Sequence, residues 1–213
     1  MSMLTRRDVI QRVTAMLGGA ALVGGDSLAA FTFDEAARTA AMTQGAGAFT
    51  AAEIALLDEI AETILPQTST PGAKAAKTGA FIALMVTDTY TDRQQDVFRN
   101  GLRHVDEASM RAHGVNFMSA TPAQRLAVAE ALDREQKTVM DERRAPRVTR
   151  APIPTVSNDE PAHYFRMLKE LTLLGFFTSE AGMTRALRYI EAPGHYDPCA
   201  PYKPGDKAWG AHA

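Results

Sequence analysis

Apolar residues recur every three or four positions in five separate stretches of this chain, and that spacing corresponds to one face of an α-helix. The stretches predict helices over about residues 50–64, 74–90, 92–113, 122–140 and 163–177. Sustained alternation of β-branched and polar residues, which would indicate strands, is missing. The inward stripes are exemplified by Ile54, Leu57, Ile60, Ala61 and Ile64 in the first helix and by Leu126, Ala129, Leu132 and Val139 in the fourth. The pattern predicts an all-α fold.

Three of these helices have the same start signal, a threonine followed three residues later by glutamate or glutamine. In such a capping box each side chain accepts a hydrogen bond from the other residue's backbone N–H, which satisfies donors that the helix leaves unpaired. The pairs are Thr50 with Glu53, Thr91 with Gln94, and Thr121 with Gln124. Three independent caps, each followed by a helical stripe, strengthen the all-α prediction.

The end of the fifth helix departs from the amphipathic pattern, because Leu173, Leu174, Phe176 and Phe177 make it apolar nearly all round. A helix without a polar face is buried on both sides, by its own chain or by a partner.

The segment after that helix is too rich in proline to be helical, since proline removes a backbone donor and clashes with the preceding turn. It nevertheless carries aromatic residues, among them the only tryptophan of the chain. Aromatic side chains on an irregular segment suit packing along another surface. We therefore predict a partner interface formed by Phe176, Phe177, His195, Tyr196, Cys199, Tyr202 and Trp209.

Composition divides the 213 residues into four parts. Residues 1–30 form a targeting segment, and residues 31–48, which are small and polar, form a linker. Residues 49–192 form one compact domain of about five to six helices, interrupted by an arginine- and proline-rich surface loop at 143–158. Residues 193–213 form an extended, irregular tail. This length is ample for one sizeable core.

The first 30 residues have the three regions of an export signal. Arg6 and Arg7 are followed closely by apolar residues, as in a twin-arginine motif, and a weakly apolar, glycine-rich run comes next. Small residues before Ala29 and Ala30 predict cleavage there and delivery to the periplasm. The alternative is an amphipathic N-terminal helix that stays attached.

Several function classes lack the residues they need. The net charge of −2 gives no basis for binding nucleic acid, and no apolar run reaches the length of a membrane span. One cysteine, Cys199, allows neither a C-x-x-C-H haem site nor an all-cysteine iron–sulfur site, and a dinucleotide-binding fingerprint is also missing. We therefore expect no cofactor in this chain. Cys199 either pairs with a cysteine of another chain or is a buried apolar side chain.

Candidate catalytic groups are scattered along the chain. His163 could act as an acid or base, or it could cap and pack the last helix; His195 lies in the tail. The carboxylates Asp58, Glu59 and Glu62 are expected on a solvated helix face, and no histidine joins them at metal-ligand spacing. We accordingly assign no catalytic, cofactor-binding or metal-ligating residue.

Three segments resemble a known family. The run LTLLGFFTSEAGM at 171–183, followed by HYDPCAPYKPGDKAWG at 195–210, is similar to the gluconate 2-dehydrogenase subunit 3 family, and LPQTSTPGA at 65–73 is also typical of it. The resemblance extends from Phe49 to the end of the chain. It implies that the 65–73 segment is a docking element.

This resemblance implies a small, non-catalytic subunit of a periplasmic dehydrogenase complex. The large GMC-type partner would hold FAD and the catalytic histidine, often together with a cytochrome c subunit. The leader of the small subunit would export the folded flavoprotein with it. The substrates of such complexes include gluconate, glucose, fructose and glycosides oxidised at C3.

Two alternatives remain open from the residues alone. The chain could be an independent small helical enzyme that uses His163 or His195 with nearby acids. It could also be a stand-alone binding or scaffold protein.

Overall fold

The computed structural model describes residues 39–40, 42, 45, 47–144, 160–190, 194, 201 and 203–210. Within these ranges, five α-helices of seven residues or more follow one another: α1 Ala51–Ile64, α2 Thr78–Thr89, α3 Asp92–His113, α4 Pro122–Arg144 and α5 Tyr164–Phe177. Short 3-10 turns lie at Ala73–Ala76 and Phe117–Ser119, and a π-helical turn lies at Gly182–Ala186. Since the described residues contain helices and no strand, the predicted all-α fold is confirmed.

The three predicted capping boxes are all present. At the start of α1, the Glu53 carboxylate accepts the Thr50 N–H at 2.8 Å, and the Thr50 hydroxyl accepts the Glu53 N–H at 3.2 Å. The same reciprocal pairs start α3 and α4. Gly114 ends α3 in the left-handed region, at φ 71°, and its N–H donates to the Met110 carbonyl. Local hydrogen bonding therefore fixes the ends that the sequence predicted.

The core lies where α1, α2 and α5 pack against each other, with α3 packed against α5 and with α4 packed against α1, α3 and α5. It is formed by large apolar side chains that are almost completely buried, including Ile54, Leu57, Ile82, Phe98, Phe165 and Leu168. Aromatic rings join the helices at its edge: Phe49, just before α1, packs edge-on against Phe98 of α3 at 6.2 Å between ring centroids. One contiguous cluster thus holds the five helices together.

The predicted continuous helix over residues 74–90 is wrong. Lys77 adopts a left-handed conformation, at φ 50°, and separates the 3-10 turn from α2. Just after this break the chain approaches α1 closely, and a Cβ on Gly79 would lie 2.6 Å from the Asp58 nitrogen and the Ile54 carbonyl oxygen. Asp58 accepts the Gly79 N–H at 2.7 Å, and Thr78 donates to the Ala73 carbonyl at 2.7 Å.

The acidic residues of α1 also differ from expectation. Asp58, predicted on a solvated face, is only 2% exposed. Burial raises its pKa above the usual value, while the Gly79 N–H and the charge of Lys74 act in the opposite direction. The buried Asp58 carboxylate therefore stabilises the start of α2 through its hydrogen bond with the Gly79 N–H.

The structure of α4 differs from the prediction in two respects. Leu126, predicted to face inward, is 49% exposed, whereas Ala129 and Leu132 are buried as expected. The helix continues past residue 140 to Arg144, so the first two residues of the predicted 143–158 loop are helical. Arg143 donates to the Pro161 carbonyl at 2.9 Å and pairs with Glu160 at 3.0 Å, which joins the end of α4 to the approach to α5.

We predict that replacing Asp58 by alanine lowers the free energy of unfolding by about 2–3 kcal/mol, because the Gly79 N–H is left without an acceptor inside the core. Asp58→Asn is the matched control, since its amide oxygen can still accept that bond. Urea denaturation followed by helical circular dichroism measures both variants. An equal loss in the two variants would show that the hydrogen bond to Gly79 contributes little.

Candidate partner interface

The last turns of α5 present apolar side chains to solvent. Leu173, Leu174 and Phe177 are 42%, 45% and 37% exposed, respectively. Phe176, predicted as part of an exposed interface, is only 2% exposed and packs edge-on against Phe177 at 5.1 Å. The difference follows from helix geometry, because residues four apart share a face and Phe176 follows the buried Leu168 and Thr172 at that spacing. Exposed apolar surface at α5 is therefore limited to the other three residues.

The chain then folds back on itself in what we call the C-terminal clasp, formed by residues 182–190 and 203–210. The Arg188 N–H donates to the Ala208 carbonyl at 2.8 Å, and the Gly210 N–H donates to the Arg188 carbonyl at 2.7 Å. These two bonds form an isolated parallel bridge between Arg188 and Trp209. The Arg188 guanidinium lies over the Trp209 ring, 4.6 Å from its centroid. Trp209 thus packs on its own chain and remains 41% exposed.

A tight turn orients the second arm of the clasp. The Asp206 N–H donates to the Lys203 carbonyl at 2.9 Å, and the Asp206 carboxylate accepts the Lys203 N–H at 3.0 Å. Gly205 supplies the positive φ, 92°, that this turn requires. Beyond it, Gly210 lies so close to Met183 that an added Cβ would sit 3.3 Å from the sulfur. The described part of the tail is irregular, as predicted, and is held by specific contacts.

Four predicted interface residues, His195, Tyr196, Cys199 and Tyr202, lie outside the described residues. So do Arg6 and Arg7 of the predicted export motif.

The side chain of Glu62 in α1 holds both ends of the loop at 65–73. One carboxylate oxygen of Glu62 accepts the Gln67 N–H at 2.8 Å, and the other accepts the Lys74 N–H at 2.8 Å. The Ala73 N–H donates to the Leu65 carbonyl at 2.9 Å and closes the loop. Residues 66–69 are exposed at its tip. The loop is therefore an exposed segment whose two ends have fixed positions.

Ion pairs connect this loop to α4. Glu59 of α1 pairs with both Lys74 and Arg125. Burial raises the Glu59 pKa, but the hydrogen bonds and charges of these two cations outweigh it and hold the pKa below its usual value. Arg125 also donates to the carbonyls of Phe117 and Met118, at 2.9 and 2.6 Å. The sequence did not reveal this network because its members come from three separate segments.

His163, the described candidate for acid–base chemistry, has a structural position at the start of α5. Its Nδ1 accepts the Phe165 N–H at 3.3 Å as the helix cap, and its Nε2 lies 3.5 Å from a Glu135 carboxylate oxygen. Burial lowers its pKa below the usual 6.5, assisted by Arg143 and His104 and opposed by Glu135. Both ring nitrogens therefore face protein groups.

Within the described ranges, no three histidine, cysteine or acidic side chains are placed to hold a metal ion. Across the same part of the chain, no helix combines the length and apolar character needed to span a membrane.

The family described as gluconate 2-dehydrogenase subunit 3 matches residues 51–194, which is more than half of the chain. The protein belongs to this family, and the predicted resemblance is confirmed. The family fits a small subunit of a multi-subunit dehydrogenase complex. No curated protein and no solved structure matches the chain.

We predict that the cap at His163 makes stability depend on pH. Because the folded state lowers the His163 pKa, the unfolded chain binds the proton more readily, and stability falls as pH drops from about 6.5 toward the folded pKa. In His163→Asn, asparagine can cap the helix without titrating, so the decrease should be smaller. Urea denaturation at several pH values measures it. Every other ionisable residue is the same in the two proteins, so the difference between their pH slopes reports on His163; identical slopes would contradict the prediction.

Proposed function

We propose that this protein is the non-catalytic small subunit of a periplasmic, FAD-dependent sugar or sugar-acid dehydrogenase. The family match over residues 51–194 is the observation that carries the proposal. In this proposal the large, GMC-type subunit holds FAD and the catalytic histidine, and electrons leave through a cytochrome c subunit or a quinone. Candidate substrates are gluconate, glucose, fructose and glycosides oxidised at C3.

The role of the small subunit in this proposal is to stabilise the flavoprotein by binding it. Leu173, Leu174, Phe177 and Trp209 support this role, because exposed apolar and aromatic residues of this size are typical of protein interfaces. Phe176 supports this surface indirectly, because it is the buried ring against which Phe177 packs. We place the predicted residues His195, Tyr196, Cys199 and Tyr202 in the same interface. Cys199 either forms a disulfide with the partner or packs as an apolar group.

A second element of the interface is the 65–73 loop. Its ends are fixed by Glu62, so its exposed tip loses little conformational freedom when a partner binds. Preorganisation of this kind strengthens binding because less entropy is lost on association. The loop therefore suits a docking role.

The rival proposal, an independent enzyme, has less support. Among the residues that the structure describes, His163 is the candidate acid or base of such an enzyme. One ring nitrogen of His163 faces the Phe165 N–H and the other faces the Glu135 carboxylate. A general base needs a nitrogen within reach of the substrate proton.

Purification of the tagged, full-length protein from its own host tests the proposal. We expect a second, larger protein to co-elute with flavin absorbance, and the complex to reduce an artificial electron acceptor with one of the candidate substrates. The chain expressed alone should have neither flavin nor turnover. Flavin bound by the isolated chain, or turnover by it, would overturn the proposal.

Export is tested in the same host. Arg6→Lys together with Arg7→Lys should leave both this chain and its flavoprotein in the cytoplasm, because the twin-arginine pathway reads the arginine pair. Cell fractionation followed by flavin absorbance measures the distribution. If the flavoprotein still reached the periplasm, it would have its own route, and the carrier role would be wrong.

A further inference from the structure

A surface cleft of about 430 Å³ lies beside the C-terminal clasp. Its walls combine two cations, two aromatic rings and two aliphatic side chains: Arg188, Lys207, Tyr189, Trp209, Leu187 and Ile190. Ile190 and Trp209 are 46% and 41% exposed. The cleft is therefore accessible, partly apolar and lined by positive charge.

The structure holds both cations in fixed positions. Arg188 uses its backbone N–H and carbonyl in the bridge of the clasp, and its Nε donates to the Lys207 carbonyl at 2.7 Å. The Trp209 ring supports the guanidinium from one side. The Lys207 ammonium donates to the Arg185 carbonyl. An anion entering the cleft would thus meet two cations whose geometry is already set.

Neither cation is neutralised by a carboxylate among the residues that the structure describes. Elsewhere in the fold, cations pair with acids across helices, as in Lys74 with Glu59 and Lys169 with Asp133. The acid nearest in sequence to Lys207, Asp206, uses its carboxylate to accept the Lys203 N–H within the turn. Among the described residues, the side-chain contacts of these two cations are with backbone carbonyls and an aromatic ring, so this part of the cleft presents positive charge.

We propose that this cleft binds an acidic side chain, flanked by an apolar residue, on a surface segment of the flavoprotein. This inference rests on the proposed function. The carboxylate would accept charge-assisted hydrogen bonds from Arg188 and Lys207, and the apolar neighbour would contact Ile190 and Trp209. Arginine and tryptophan are enriched among the residues that dominate binding energy at interfaces once a partner covers them. Charge complementarity thus favours an acidic partner over an apolar one.

Zero-length carbodiimide cross-linking of the purified complex tests the contact directly, because it joins an amine to a carboxylate that touches it. We expect Lys207 to be linked to an aspartate or glutamate of the co-purified flavoprotein, next to an apolar residue. Lys203, on the same arm of the clasp but outside the cleft lining, is the internal control and should not give this product. A Lys207 link to a second copy of this chain, or no intermolecular link in an intact complex, would overturn the proposal.

Charge substitutions give an independent measurement. Lys207→Glu should weaken the affinity for the co-purified flavoprotein about tenfold at low salt, whereas Lys203→Glu should change it less than about twofold. Lys207→Gln keeps a donor for the Arg185 carbonyl and should weaken binding by about threefold with a reduced salt dependence. Emission of Trp209, the only tryptophan, reports whether the clasp is intact.

The outcomes separate the two proposals. If no flavoprotein accompanies the wild-type chain, the proposed function fails and this inference fails with it. If the complex forms and Lys207→Gln binds like wild type with unchanged salt dependence, only the assignment of the cleft fails.

Discussion

The hydrogen bond from the Gly79 N–H to the buried Asp58 carboxylate is the constraint on which the fold depends most. It fixes where α2 starts, and α2 in turn packs against both α1 and α5. Glycine is required at 79 because no Cβ fits between the helices. A carboxylate in a core is costly to bury, which is why its pKa is raised, but this one accepts a hydrogen bond from a buried backbone N–H that would otherwise lack a partner.

Three acidic residues of α1 position other parts of the fold, and each of them contacts a different segment. Asp58 holds α2, Glu59 holds Lys74 and Arg125, and Glu62 holds the 65–73 loop. The first helix therefore organises the surface loop and part of α4 through polar contacts as well as through its apolar stripe. In this arrangement the docking loop and the hydrophobic core are supported by the same helix.

How much of the structure could be predicted from the sequence depends on how far apart along the chain the interacting residues lie. The capping boxes at Thr50, Thr91 and Thr121 were predictable because both partners are three residues apart. The start of α2 after Lys77 was not, since the Gly79 N–H is bound by Asp58, which lies in another helix. At the end of α5 the sequence showed only that apolar residues surround the helix. It could not reveal that Phe176 is buried while Leu173 and Phe177 are exposed, because the burial of each side chain depends on which other parts of the fold pack against that face of the helix.

The fastening of the 65–73 loop has a consequence for how this surface can vary. Glu62 contacts Gln67 and Lys74 through their backbone N–H groups, which every amino acid except proline possesses. The side chains of Gln67, Thr68 and Ser69 make no hydrogen bond to Glu62 and are exposed. Substitutions at the tip can therefore adapt the loop to a different binding surface while its anchor, and the helix beneath it, stay unchanged.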